Sequence, residues 1–162
     1  MGRVLSLMLV AIILAAVPSA ATAANAFVAS VARLTADERR AMTPSVWRPG
    51  GPVGLNDLRV IRATHWTFER TTRTGRLVVH RDVAGPVVRI MRRLHAARVP
   101  IRWMVPIERF DGSDFRSIEA DNTSAFNCRY VDGSRRWSLH AYGRAIDINP
   151  IENPYVSRGR TS

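Results

Sequence analysis

The longest uninterrupted apolar stretch lies at the start of the chain: residues 4–17 hold one polar residue, Ser6, and Pro18 ends the run. Further along, the apolar positions change period several times. Residues 58–68 and 76–80 are rich in β-formers and each predicts a strand. Val87, Met91 and Leu94 recur at helical spacing with Arg89, Arg92 and Arg93 between them. They predict an amphipathic helix that starts between Asp82 and Pro86 and ends before Pro100. Residues 101–107 return to strand character, and Phe115 and Ile118 predict a short helix within the polar stretch 111–121. Residues 126–131 and 136–140 flank Asp132-Gly133-Ser134, which predicts a hairpin. The class is α+β, a small antiparallel sheet with flanking helices.

Two segments precede this pattern. Arg3 followed by the apolar run and by Ala21-Thr22-Ala23 has the layout of a secretory signal peptide, with cleavage expected after Ala23. The run is shorter than the ~20 residues of a spanning helix, so no stable membrane span is expected once it is removed. Thr35 and Glu38 have the spacing of a capping box and mark a helix start. The chain then enters Pro44 and Pro49-Gly50-Gly51-Pro52, a loop signal. The expected organisation is a signal peptide at 1–23, a loop-rich lead-in at 24–54 and a core domain at 55–162, within the span of one domain.

Composition narrows the functional classes. All of the 24 basic residues are arginine, and the formal charge is +11. An exported chain rarely meets nucleic acid, and the arginines are scattered, so a solvated basic surface is the reading for most of them. The polyanions outside the cytoplasm are cell-wall polymers and lipid head groups. A single cysteine, Cys128, excludes an intramolecular disulfide framework and a multi-cysteine zinc site. Its expected state is a buried, inert thiol, and the four tryptophans are expected to be packing residues.

The densest chemistry runs from Trp137 to Pro150. His140 and Asp147 stand seven residues apart with small residues between them. In a helix that spacing separates them by about 10.5 Å along the axis, too far for ligands each ~2.0–2.2 Å from one zinc. A shared metal therefore requires the segment to fold back, which Gly143 permits by tolerating positive φ. Asp147 would then lie on a short strand, Ala145 on the same face and Ile146 and Ile148 on the other. Spacing alone leaves two readings open, a metal pair or a surface histidine beside a solvated carboxylate.

The string Ser138-x-His140-x-x-Gly143-x-Ala145-x-Asp147 resembles the S-x-H-x-x-G-x-A-x-D signature of the D-alanyl-D-alanine carboxypeptidase-like zinc peptidases. That group includes the vancomycin-resistance D,D-dipeptidases and the L-alanyl-D-glutamate endopeptidases. Asn127-Cys128-Arg129 also resembles the segment that carries an active-site arginine there. The resemblance implies a zinc D,D-peptidase core, hedgehog-like in fold, in an exported, cell-wall-associated hydrolase of peptidoglycan stem peptides. It implies that His140 and Asp147 bind Zn2+, that Arg129 holds the substrate carbonyl or carboxylate and stabilises the oxyanion, and that Ser138 touches the substrate or orients the metal ligands. The bond cut, D-Ala-D-Ala or L-Ala-D-Glu, is left open.

The family takes a third ligand, a histidine in an acid-x-x-His arrangement, from a later strand. No histidine follows Asp147 here. The expectation from sequence is therefore a core incomplete at its C-terminus. His65, His80 and His95 are weak substitutes, and Glu152 is a conceivable base. Two alternatives stand beside the peptidase: a non-catalytic peptidoglycan- or zinc-binding module on the same fold, and an arginine-rich polyanion binder whose motif is coincidental.

Overall fold

A computed structural model describes residues 25–157, 160 and 161. The expected signal peptide at 1–23 lies outside the described residues. Three antiparallel strands, β1 (Ala29–Arg33), β2 (Leu58–Trp66) and β3 (Thr72–His80), form the main sheet in the order β1-β2-β3. The β2–β3 register runs from Leu58 opposite His80 to Trp66 opposite Thr72. Three helices accompany it: α1 (Ala36–Met42), α2 (Ala84–Ala96) and α3 (Asp114–Glu119). Two short strands, β4 (Val156–Ser157) and β5 (Arg160–Thr161), pair near the end of the chain.

Side chains alternate across a strand, and here both faces are covered. Ile61, Ala63, Leu77 and Val79 pack with Ala84, Val87 and Met91 of α2 and with Ile101, Met104 and Ala125. Leu58, Val60 and Val78 pack on the other face with Leu34, Met42, Val46, Ile107, Phe126 and Cys128. Cys128 is a buried free thiol. The α2 helix matches its predicted limits because its apolar stripe meets the first face, while Arg89, Arg92 and Arg93 stay out of the core.

The segment read as a loop-rich lead-in, 24–54, contributes directly to both structures. Its β1 pairs with β2 from Ala29–Ala63 to Arg33–Arg59, and α1 covers the second face through Met42. The capping box forms as the spacing predicts. Glu38 N–H donates to Thr35 Oγ1 at 3.2 Å, and Thr35 N–H donates to Glu38 Oε2 at 2.8 Å. Glu38 Oε1 then reaches Arg62 Nη2 on β2 at 2.7 Å, tying the helix to the sheet.

Residues 101–107 do not form the strand that their composition predicts. Their apolar side chains are used as core filler: Ile101, Met104 and Ile107 are buried, while the backbone makes only isolated bridges, Trp66–Pro100 and Trp103–Asn122. Trp103 is half exposed beneath the Arg73 guanidinium rather than packed in the core.

Candidate metal and substrate site

The site hangs from the outer edge of β3. Alternate residues of that strand turn their backbone groups away from β2, and three loop segments satisfy them. Arg76 N–H donates to Met104 O at 2.7 Å, Phe126 N–H donates to Val78 O at 3.0 Å, and His80 N–H donates to Gly143 O at 2.9 Å. The edge is thus capped by irregular chain, and two of its three contacts lie beside the motif.

Residues 124–130 run antiparallel to residues 137–147. Ser124 and Asp147 exchange both backbone hydrogen bonds, at 3.1 and 3.0 Å, Asn127 N–H donates to His140 O at 3.2 Å, and Ser138 N–H donates to Arg129 O at 3.1 Å. The Asp132–Ser134 turn closes the hairpin, with Val131 N–H donating to Arg136 O at 2.8 Å. Sequence reasoning placed the hairpin correctly. Its arms hold single bridges, Ser124–Asp147 and Tyr130–Trp137, instead of continuous strands, so Asp147 sits on a bridge rather than on the alternating strand expected for 145–148.

Between those bridges the second arm bulges into one 3-10 turn, Leu139–Tyr142, and this fold-back brings His140 to Asp147. Ser138 starts the turn: its Oγ accepts His140 N–H at 3.3 Å. Gly143 ends it at φ 65°, and a Cβ there would lie 2.6 Å from His80 N. The position is closed to a side chain by backbone conformation and by close approach. Arg144 Nη2 donates to Asp82 Oδ2 at 2.9 Å, which fastens the far side of the turn to the β3–α2 connection. Asn149 anchors the exit, its N–H on Thr123 Oγ1 at 3.1 Å and its Nδ2 on Pro100 O at 2.8 Å.

A carbonyl only accepts, so the 2.6 Å contact between His140 Nδ1 and Ala125 O places the proton on Nδ1. The Nε2 of the ring faces Asp147 Oδ2 at 3.3 Å. Burial pushes the Asp147 carboxyl above the ordinary aspartate range; the His140 and Arg129 charges pull it back and Asp114 adds to the rise. An imidazole nitrogen and a carboxylate oxygen are both metal-donor atoms, and their 3.3 Å separation suits two ligands each about 2.0–2.2 Å from one ion. The backbone carbonyl behind Nδ1 is the support that a histidine ligand normally has. The pair therefore fits a zinc ion as two of its ligands.

Arg129 lies beside them. Its Nη2 meets Asp114 Oδ2 at 2.7 Å, its Nη1 donates to Tyr130 O at 3.3 Å, and its Nε is buried without a hydrogen-bond partner. Tyr130 stacks on Trp137 with centroids 4.0 Å apart, next to Arg129 and Ser138 along the chain.

The structure thus brings Ser138, His140, Asp147 and Arg129 together, while the substitutes considered for the third ligand make other contacts, His80 meeting the turn through its backbone N–H. His65 Nδ1 is at 3.1 Å from Trp66 O. His80 Nδ1 accepts Asp82 N–H at 3.3 Å, and the His95 ring lies tilted against Phe27 and Trp66. Glu152, the conceivable base, is turned toward Arg102 at 3.5 Å. Among the described residues no group of three or more His, Cys, Asp or Glu is placed to hold a metal ion. Sequence reasoning missed Asp114 and the Ala125 carbonyl. Asp114 carries no signal, since its partner is fifteen residues away with no motif between them; the carbonyl belongs to a backbone, on which sequence is silent.

No helix among the described residues is long and apolar enough to cross a membrane. No curated protein and no solved structure matches the chain significantly. A protein-family model does: over residues 132–162, the stretch that carries Ser138, His140, Gly143 and Asp147, the chain is similar to the D-alanyl-D-alanine carboxypeptidase family.

Proposed function

We propose that this chain carries the core of an exported, zinc-dependent peptidase that cuts peptidoglycan stem peptides. The family match supports a peptidase. The observation that supports the metal is the facing of His140 Nε2 and Asp147 Oδ2 at 3.3 Å, with Nδ1 set against Ala125 O at 2.6 Å. The basic, arginine-only surface and the signal-like first segment agree with action on an anionic cell wall.

His140 and Asp147 would hold the ion, which when bound polarises the scissile carbonyl and lowers the pKa of water. The protein's own part is positioning. Ser138 holds the turn in register by capping it at His140 N–H, and Gly143 keeps it tight against β3. Arg129, a cation with a fixed donor fork, would draw in a peptide carboxylate or carbonyl and stabilise negative charge as it develops there. The His140 side chain, 11% exposed, is sheltered from solvent, while Asp147 at 37% opens toward it.

The test is hydrolysis of synthetic stem peptides ending in D-Ala-D-Ala or containing L-Ala-D-Glu, with added zinc, then with a chelator, and with His140→Ala. Cleavage that stops with the chelator, returns with zinc and is absent in His140→Ala is the expected result. Cleavage that survives the chelator, or full activity in His140→Ala, overturns it.

A second reading is favoured by one observation, that the described residues present two metal donors and no third. On that reading the chain is a peptidoglycan- or zinc-binding module without catalysis. Sedimentation with purified sacculi and no release of peptide would select it.

A further inference from the structure

We propose that Asp114 is a positioning residue for Arg129, the α3 carboxylate that fixes the guanidinium beside the His140–Asp147 pair. The inference rests on the reading of Arg129 as the substrate-holding residue and adds to it a group that belongs to neither the motif nor the hairpin.

Three observations carry it. First, the guanidinium is held at two points by groups of different origin: Nη2 by Asp114 Oδ2 at 2.7 Å, and Nη1 by the carbonyl of Tyr130 at 3.3 Å. Two fixed nitrogens set the plane of the fork, so its orientation is decided before any ligand arrives. Second, the contact is inside the molecule. The Arg129 and Asp114 side chains are 28% and 26% exposed, unlike the Arg40–Asp37 pair on α1 at 73% and 85%. Exposed pairs contribute little, whereas a half-buried one holds its geometry. Third, Arg129 O accepts Ser138 N–H at 3.1 Å and Asn127 N–H donates to His140 O at 3.2 Å, so the hairpin sets Arg129, and with it the Asp114 contact, beside the turn that carries His140.

The chemistry follows from valence. A guanidinium has five N–H donors. Asp114 and Tyr130 O take one each, and the remaining Nη hydrogens are left for an acceptor oxygen of substrate. Pre-ordering a long side chain removes the rotamer entropy that binding would otherwise cost. The Asp114 charge also offsets that of Arg129, so the fork presents donors without adding a net positive charge beside the metal ligands. The α3 position is reinforced at its start, where Ser113 Oγ accepts Arg116 N–H at 3.3 Å.

Asp114→Asn keeps the shape and removes the charge, and two readouts separate its effects. Exchange of the Arg129 Nε–H with water, followed by nitrogen-15 NMR and assigned with Arg129→Lys, reports the holding of the side chain and needs no catalysis. Steady-state kinetics on a stem peptide reports the consequence. Exchange is expected to speed up by about tenfold or more, and kcat/KM to fall by roughly 10- to 100-fold, as for a catalytic group displaced by about an ångström. Asp114→Glu should recover part of both, which a merely structural loss would not. Unchanged exchange overturns the proposal. So does faster exchange with unchanged kcat/KM in a protein that Arg129→Ala inactivates. If the wild-type chain cuts no peptide, the peptidase reading fails, and the exchange measurement still decides whether Asp114 holds Arg129.

Discussion

At the scale of single residues, the site depends on one backbone reversal. Gly143 stands at φ 65°, and its missing Cβ leaves room for His80 N at 2.6 Å. Gly143→Ala is strained twice, by the left-handed backbone and by the clash, and the turn has no flexible side chain that can move aside. The expected cost is about 2–4 kcal/mol in urea unfolding, with zinc affinity reduced as His140 and Asp147 lose their approach. A variant as stable as wild type would show that the turn tolerates an alternative path. His140→Gln and Asp147→Asn probe the pair itself. Each keeps size, so the fold should survive while equilibrium dialysis shows zinc binding weakened by about 100-fold or more in either variant. Equal zinc retention in both would remove the basis of the metal reading. The resemblance in sequence found these residues because their geometry is local: cap, turn, glycine and carboxylate all lie within one short run. It did not find Asp114 or Ala125 O, whose contacts join separate parts of the chain.

At the scale of elements, the reading was sound where side-chain period and burial agree. The β2, β3 and α2 elements bury apolar side chains, so their patterns carry their identity; β3 begins at Thr72 rather than at residue 76, because Thr72, Arg73 and Thr74 bury no apolar side chain and extend the strand by backbone pairing. The β1 strand was missed because four of its five residues are exposed and it has no alternation to read; it is held by backbone pairing with β2, with Ala29 the one residue packed against the core. The failure at 101–107 is the converse, apolar residues selected for burial rather than for a strand. The α1 helix illustrates an element that was legible from its cap. Thr35→Ala removes the hydroxyl that accepts Glu38 N–H, and should cost about 1 kcal/mol. Glu38 is also sensitive to pH. Burial raises its pKa, but the Thr35 hydrogen bonds and the Arg62 and Arg76 charges outweigh it, and the folded value lies below the ordinary 4.5. The unfolded chain then binds the proton first. The contribution of Glu38 is present above pH 4.5 and is lost as pH falls through the folded value. Glu38→Gln should therefore be less stable than wild type near neutrality, and the gap in melting temperature should close below that window. A gap that stays constant with pH would mean that the ion pair to Arg62 adds nothing.

At the scale of the whole molecule, the sheet is covered on both faces and its edge is filled by the site, so stability and site geometry are linked through β3. Two histidines, His65 buried in the sheet and His95 partly buried on α2, set a pH limit on that link. Burial holds His65 and His95 below the ordinary histidine value of 6.5. Below that value the unfolded chain takes up protons that the folded chain refuses, so stability falls as pH drops through the window beneath 6.5. Glu108 acts in the opposite direction: burial raises its pKa, and its contribution declines as pH rises through the folded value. The two effects are separable by mutation. Urea midpoints measured from pH 8 to pH 5 should fall below pH 6.5 in the wild type and fall less in His65→Gln, whose side chain does not titrate. An identical slope in both would assign the acid sensitivity to other groups. Because β3 carries Val79 and His80 beside Gly143, the fall should be accompanied by earlier loss of protection at the His80 amide in hydrogen exchange, and a site that keeps its protection while the sheet weakens would show that the turn is held by Asp82–Arg144 instead.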